Sequence, residues 1–505
     1  MTAGPRESFD VVIVGFGFAG GIAALEAHDA GARVLLLEKQ ASPGGISVCS
    51  AGGLRITNDA DAAFAYLAAT NAGTAPDGVL RVLAEGMRKL PEYARQLTEA
   101  VGARLGLRAS PANYPFDGFQ SFGFAYVDEV PGFDPAVEFP AVRGSPAGAR
   151  LFKVVLENLR HRPNIEIRLA SPVERLIQQD GAVHGVIVGG QRIAAKRGVI
   201  LACGGFEAAA DLQTNWWSIK PVLSAAVRCN SGDGLRMAQR AGAGLWHMWH
   251  FHGSYGFRHP DPAYPFGIRV KRLPDWTPGP GLRENVSMSW ILVDRRGRRF
   301  MNEYDPYLQD TGHRPLEHFD PATQSYPRLP ALMVLDQAGR DLYALSAPTW
   351  HDAEVAARFG GSTARGLDDL VLTRADSIGD LARAFDLDPD TLGATVERWN
   401  AACAAGRDDE FGRPPGSMLP IRRPPFSAAS AWPIVSNTHG GPVHDEEQQV
   451  LDAFGTPIPG LYAAGELGSV FGHLYMSGGN IAECFIGGRI AGRAAAHAPL
   501  PADTR

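Results

Sequence analysis

The sequence predicts an α/β fold. A dinucleotide-binding domain of Rossmann-like βαβ construction is assembled from both chain ends, and a second, α+β domain is inserted between them. Three observations lead there. The run Asp10-Val-Val-Ile-Val14 is followed at once by Gly15-Phe-Gly17-Phe-Ala19-Gly20. The same buried-strand texture returns near the far end, at Gly460-Leu-Tyr-Ala-Ala-Gly465. Between about Tyr255 and Phe426 it gives way to a stretch with clustered prolines (Pro260, Pro262, Pro265, Pro274, Pro278, Pro280). The expected division is residues 1–270 plus 431–505 for the nucleotide-binding domain and 271–430 for the insertion.

Taken in order, Asp10–Val14 is continuous in β-branched residues, as a strand buried on both faces requires. An alanine-rich helix then runs to about Ala30, Gly31 ends it, and Arg33-Val-Leu-Leu-Leu-Glu38 forms a second buried strand. Together they make one complete βαβ unit. Ile165–Leu169, Val173–Gln178 and Val183–Val188 are expected as short antiparallel strands, and Gly198–Gly205 as a buried strand ending in a glycine turn. Within the insertion, short strands mix with helices such as Ser377–Phe385, a texture suited to a domain with long connections. A final helix, Ile481–His497, carries apolar residues on one face.

Composition narrows the function classes. The 505 residues include 48 basic and 54 acidic side chains, a formal charge of -6, and 45% are hydrophobic. Without a positive excess, nucleic acid is not an expected partner. The longest apolar run, Val11–Leu25, is interrupted by glycines and falls short of the roughly 20 residues a membrane span needs. Met1–Asp10 lacks the basic and apolar blocks of a secretory signal. Five scattered cysteines (Cys49, Cys203, Cys229, Cys403, Cys484) form neither a zinc spacing nor a disulfide framework. A cytoplasmic, reduced protein without a metal is the expectation.

The chemistry begins at the glycines. Gly15 allows a tight turn, Gly17 lets backbone approach a pyrophosphate, and Gly20 permits close helix–strand packing. The helix amino terminus offers unpaired N–H groups and the positive end of its dipole to phosphates. Glu38 stands 18 residues past Gly20, where a ribose-binding acid belongs. A second glycine-rich loop, Gly44-Gly45-Ile-Ser47-Val-Cys-Ser50-Ala-Gly52-Gly53, suits a bulky cofactor lying against backbone. Near the far end, Gly465-Glu466 closes a strand and Gly478-Gly479-Asn480 opens the last helix.

These features resemble the fumarate reductase/succinate dehydrogenase flavoprotein family over nearly the whole chain. The resemblance implies a glutathione-reductase-like FAD-binding domain with an inserted substrate-capping domain. It implies FAD contacts at Gly15, Gly17, Ala19, Gly20, Glu38, Lys39, Gly45, Ser47, Ser50, Gly52, Gly53, Val173, Gly204, Asp233, Gly465, Glu466, Asn480 and Ile481. Relatives that bind flavin covalently use a histidine in the first glycine-rich region. No histidine occurs between His28 and His161, so a non-covalent FAD is expected.

The reaction turns on Gly297-Arg-Arg-Phe300-Met-Asn302-Glu303-Tyr-Asp-Pro-Tyr307, which resembles the family's GxRFxNE signature. In fumarate reductases an arginine five residues after the asparagine protonates the substrate; here that place holds Tyr307. Arg314 is nearby with a different spacing. The tyrosine resembles the 3-ketosteroid dehydrogenases, which use a tyrosine base there. In that branch a tyrosine hydroxyl and a glycine N–H four residues later hold the ketone oxygen, the spacing of Tyr475-Met-Ser477-Gly-Gly479. Tyr-x-Ser resembles the Δ4-(5α) enzymes, in which the serine assists proton movement. The carboxylate-binding set of a fumarate reductase is missing, with Asn437 where a histidine would stand.

The expected activity is therefore FAD-dependent desaturation of the C–C bond next to the carbonyl of a cyclic ketone, either a 3-ketosteroid or a cyclohexanone-type substrate. Tyr307 takes the α-proton, flavin N5 takes the β-hydride, and Tyr475 with the Gly479 N–H holds the oxygen. Losing one such oxyanion donor typically costs about 2.7–4 kcal/mol. A phenol titrates near 10 and burial raises it, so a tyrosine base calls for cationic help, here sought from Arg298, Arg299, His313 or Arg314. Tyr114 and Tyr126 are further hydroxyl candidates. Reduced flavin needs an external acceptor, a quinone or a carrier protein. The alternatives are a fumarate- or urocanate-type enoate reductase and a non-catalytic flavin-binding protein. Trp246-His-Met-Trp249-His250-Phe-His252 is expected to be a packed aromatic wall, as is Trp216-Trp217. Cys49 is expected to be an inert packing cysteine near the flavin.

Overall fold

The structure is a computed structural model that describes residues 7–270, 287–308 and 310–500. Pro274, Pro278 and Pro280 of the proline cluster lie outside the described residues. The elements that position the site are, in chain order, β1 (Glu7–Val14), α1 (Phe18–Asp29), β2 (Val34–Leu37), α2 (Pro146–Arg160), β3 (Ile165–Arg168), β4 (Gln191–Leu201), β5 (Phe251–Arg258), β6 (Gly267–Arg269), β7 (Ile291–Val293), β8 (Ala331–Leu335), β9 (Phe426–Thr438), β10 (Pro457–Ala463) and α3 (Gly479–His497).

The first sheet has the order β10-β4-β1-β2-β3, and every one of these pairings is parallel. Strand order reverses at β1: β2 and β3 lie on one side, β4 and β10 on the other. In a parallel sheet such a reversal leaves a crevice beyond the carboxyl ends of the strands, where ligands bind. One expectation is corrected here. Ile165–Arg168 runs parallel to β2, not antiparallel, because α2 carries the chain back across the sheet before β3 begins. Val173–Gln179 and Ala182–Val188 do form an antiparallel hairpin, which pairs with the start of β4.

The second sheet, β6-β5-β9-β8-β7, is antiparallel. Its long central strand β9 pairs with β8 over Ser427–Ala431 and with β5 over Trp432–Thr438. The 430/431 division therefore falls within a continuous strand, and residues from Phe251 onward already belong to this sheet.

Helices α1 and α3 pack with backbones in near contact. A Cβ on Gly488 would lie 2.6 Å from the Ala19 carbonyl oxygen, and one on Gly492 2.5 Å from that of Ala23. Both helices are buried over most of their length, and their amino termini open onto the same crevice.

Candidate active site

A cavity of about 460 Å³ follows the crevice from the end of β1 to the start of α3. Of the cofactor positions named from the sequence, Gly15, Gly17, Ala19, Glu38, Lys39, Gly45, Ser47, Ser50, Gly53, Val173, Gly204, Asp233, Glu466, Asn480 and Ile481 line it. Three others turn elsewhere. Gly20 is packed so that a Cβ would sit 1.9 Å from the Gly15 carbonyl oxygen; Gly52 lies against the Ala147 backbone and Gly465 against Ala19 and Cys484.

The nucleotide end fits a dinucleotide. Gly15 has φ +103° and a Cβ there would meet the Ala202 carbonyl oxygen at 2.3 Å, so this turn is open only to glycine. Gly17 has no side chain to cap α1, and the first N–H of the helix, that of Phe18, donates to Ser47 Oγ at 3.1 Å at the cavity wall. The Glu38 carboxylate is oriented by the N–H groups of Phe16 (2.9 Å) and Gln40 (2.8 Å). Lys39 Nζ is held by Asp233 at 2.6 Å and Ser231 at 2.8 Å. At the start of α3, Gly478 stands at φ +79° and offers no side chain of its own to the first turn. Burial pushes up the carboxyls of Glu207 and Glu466, which face each other beside this path.

The other end of the cavity is lined by Tyr126, His252, Arg269, Ser436, Asn437, Tyr475 and Ser477. Tyr475 is 3% exposed. Its hydroxyl oxygen accepts the Asn480 N–H at 3.2 Å, and its ring lies 4.3 Å from that of His252. Burial holds its phenol well above the ordinary range, so it is a proton donor and not a phenolate. Ser477 lines the cavity beside it while its carbonyl accepts Arg55 Nε at 2.9 Å.

Two expected groups are placed differently. The Gly479 N–H donates to the Met476 carbonyl at 2.8 Å, closing the tight turn into α3, and Gly479 does not line the cavity. Its N–H is therefore not available to a ketone. Tyr307 also lies outside the lining and is 41% exposed. Its ring stacks on Tyr114 at 6.0 Å and 10° and meets Phe116 edge-on at 6.4 Å. Tyr114 in turn donates to the Tyr475 carbonyl at 3.0 Å, so the three tyrosines form one row.

Of the cations sought for Tyr307, Arg299, His313 and Arg314 are engaged elsewhere, and Arg298 is exposed. Arg299 pairs with Glu303 (2.9 Å) and Asp408 (3.1 Å), and Arg413 joins Glu303 at 3.3 Å, all with buried side chains. The GxRFxNE segment thus builds a core ion cluster. Arg314 donates to the His473 carbonyl, and His313 Nδ1 to the Gly253 carbonyl at 3.3 Å. The expected aromatic wall holds only in part: Trp246 and Trp217 are buried, the latter tilted 38° against Phe251 at 4.4 Å, but Trp216 and Trp249 are exposed and His252 lines the cavity. Cys49 donates to the Ile46 carbonyl, and burial pushes its thiol up to about 12.

Sequence reasoning missed Asp310. This fully buried carboxylate meets His252 Nε2 at 3.1 Å and accepts from Asn113 at 2.6 Å. Nothing in its spacing announces it. It also missed His351, whose Nδ1 bonds the Gly45 carbonyl at 2.7 Å and ties the insertion to the glycine loop.

Residues 10–481 match the family model described as FAD binding domain. The 3-oxosteroid 1-dehydrogenase of Mycobacterium tuberculosis is 28% identical, covering 96% of this chain and 98% of the relative. The 4-oxocyclohexanecarboxylate 2-dehydrogenase of Sinomonas cyclohexanicum is 29% identical, covering 91% and 88%. The crystal structure of 3-ketosteroid delta1-dehydrogenase from Sterolibacterium denitrificans shares the fold, with a TM-score of 0.79 at 23% identity over 97% of this chain and 100% of that one. Among the described residues no helix is long and apolar enough to cross a membrane, and no group of histidine, cysteine, aspartate and glutamate could hold a metal ion.

Proposed function

We propose that this chain, which belongs to the FAD binding domain family and is an FAD-dependent oxidoreductase, desaturates a cyclic ketone next to its carbonyl. The observation that carries the reading is the Tyr475 hydroxyl. Its oxygen is occupied by the Asn480 N–H, so its own proton is directed to an acceptor in the cavity, and a ketone oxygen is such an acceptor. The N–H belongs to the first turn of α3, whose positive end makes the phenol a stronger donor as the ketone gains enolate charge. FAD, when bound, supplies the hydride acceptor. His252 is the one histidine among the described lining residues, and its Nδ1 is bonded to Asn437 Oδ1 at 2.8 Å while its Nε2 stands 3.1 Å from Asp310, which supports a cofactor held without a covalent link.

Tyr307 is the proposed acceptor of the α-proton: a phenol must give its own proton to solvent before it takes one from carbon, and its ring, 41% exposed and stacked on Tyr114, has that route. Ser477 lines the cavity wall as a hydroxyl relay. The two electrons leave to an external quinone or carrier protein. Two relatives act on 3-oxosteroids and on a 4-oxocyclohexanecarboxylate, which supports a ring ketone as the shared feature of the substrate. In this reading the parallel sheet and the glycine loops hold the cofactor, and the antiparallel sheet with its helices caps the substrate.

Anaerobic mixing with a saturated cyclic 3-ketone bleaches the yellow protein if this reading is right. One observation favours the reverse reaction. The guanidinium of Arg314 is mostly buried beside Tyr114, as an acid for enoate reduction would be. Reoxidation of the reduced protein by an unsaturated acid, with no bleaching by ketones, would establish that direction instead.

A further inference from the structure

The cavity continues past its nucleotide end. Val173, Asp233 and Met237 line it there, and the same three residues line a surface groove of about 700 Å³. One wall of the groove is the strand Val173–Gln179, which among the described residues pairs with a neighbour on one side only. The other wall is the helix Asp233–Ala241. Gln178 Nε2 ties the two walls together by donating to the Ala241 carbonyl at 3.1 Å.

The charge of this groove is one-sided. Arg175, Arg192, Arg236 and Arg240 line it, against Glu174 and Asp233. Asp233 is matched by Lys39 at 2.6 Å, and Arg236 by Asp211 at 2.8 Å. With those two pairs set aside, three arginines face one carboxylate. Arg175, Arg192 and Arg240 are all exposed, and among the described residues none forms an ion pair with an acid. The whole chain has a formal charge of -6, so its overall field repels an anion. A local excess of positive charge reverses that repulsion at close range, over about 10 Å at 0.1 M salt.

We propose that this groove is the loading path of FAD, and that Arg175, Arg192 and Arg240 draw its anionic diphosphate to the nucleotide end of the cavity. The inference needs only that the chain binds FAD and is independent of the ketone reading. The arginines act on the approach and not on the bound cofactor, because none of them lines the cavity itself. The loaded state is held by the glycine turns and Glu38. Charges that act on the approach set the association rate, and contacts of the bound state set release.

The test follows flavin fluorescence as FAD is mixed with the full-length apoprotein, and the release of FAD from the loaded protein. At about 0.01 M salt, where screening extends to about 30 Å, the triple variant Arg175→Gln, Arg192→Gln, Arg240→Gln is expected to associate on the order of tenfold more slowly than the parent. At about 1 M salt, where screening shortens to about 3 Å, the two rates are expected to converge. The release rate is expected to stay within about twofold of the parent. A control with the same change in net charge, Arg383→Gln, Arg398→Gln, Arg407→Gln, is expected to associate like the parent. An association rate of the groove variant within about twofold of the parent at low salt would overturn the proposal. An equal fall in the control would overturn it too, since net charge alone would then suffice. So would faster release with unchanged association, which would place the arginines on the bound cofactor. Arg240→Gln alone serves if the triple variant does not fold: a smaller, salt-dependent fall in association supports the path, and an unmoved rate refutes it.

Discussion

Removing the Tyr475 hydroxyl is the sharpest perturbation of the proposed site. Tyr475→Phe keeps the ring between His252, His439 and Phe471, so packing changes little. Two interactions are lost. The Asn480 N–H loses its acceptor at 3.2 Å, which costs stability of about 1–3 kcal/mol for a buried donor. That donor sits in the first turn of α3, where an N–H has no helical partner, so nothing within the helix replaces it. The ketone loses its donor as well. Because the Gly479 N–H is bound to Met476, no second donor from that turn compensates. The full loss of about 2.7–4 kcal/mol in transition-state stabilisation is then expected, a fall of roughly 100- to 1,000-fold in kcat/KM. The assay is steady-state reduction of an artificial electron acceptor with a saturated ring ketone, normalised to bound flavin by absorbance. A kcat/KM within about threefold of the parent, at equal flavin content, would refute the role of this hydroxyl.

Further outcomes follow from the same geometry. Tyr307→Phe preserves the stack on Tyr114 and is expected to retain FAD and lose turnover; full activity removes Tyr307 from the mechanism. Gly20→Ala forces a Cβ to within 1.9 Å of the Gly15 carbonyl oxygen and is expected to yield colourless protein, checked by the flavin-to-protein absorbance ratio. Glu303→Gln strips a carboxylate from two buried arginines and is expected to lower stability by about 3–5 kcal/mol in urea unfolding; an unmoved midpoint would show the cluster to be dispensable. Burial raises the Glu483 carboxyl from 4.5 to about 8, so between those values the folded form holds a proton that the unfolded form has released. Its contribution is present below about pH 4.5 and is lost as pH rises toward about 8; in Glu483→Gln the fall in Tm across that window should shrink.

What the sequence makes legible is local, and what it hides is distant. Gly15, Gly17 and Glu38 are readable because a strand, a turn and a helix lie within one short segment and leave few alternatives. Tyr475 and Asn480 are readable because one turn brings them together. The same turn conceals that the Gly479 N–H is already bonded to Met476, since a spacing of four residues describes where an amide stands but not whether a carbonyl three residues earlier has taken it. Asp310 and His252 meet only because β5 and the loop after Tyr307 converge from separate stretches of the chain, and no periodicity in either segment encodes that meeting. The division at 430/431 falls inside β9 for a related reason: one continuous strand changes partner from β8 to β5 between Ala431 and Trp432, with no turn residue to mark the change. The GxRFxNE segment shows the opposite failure. Its charged residues look like catalytic equipment, yet Arg299 and Glu303 are sealed with Arg413 and Asp408 in a core where neither can reach a substrate. Their contribution to chemistry is to hold rigid the loop that carries Tyr307 to Tyr114 and Asp310 to His252.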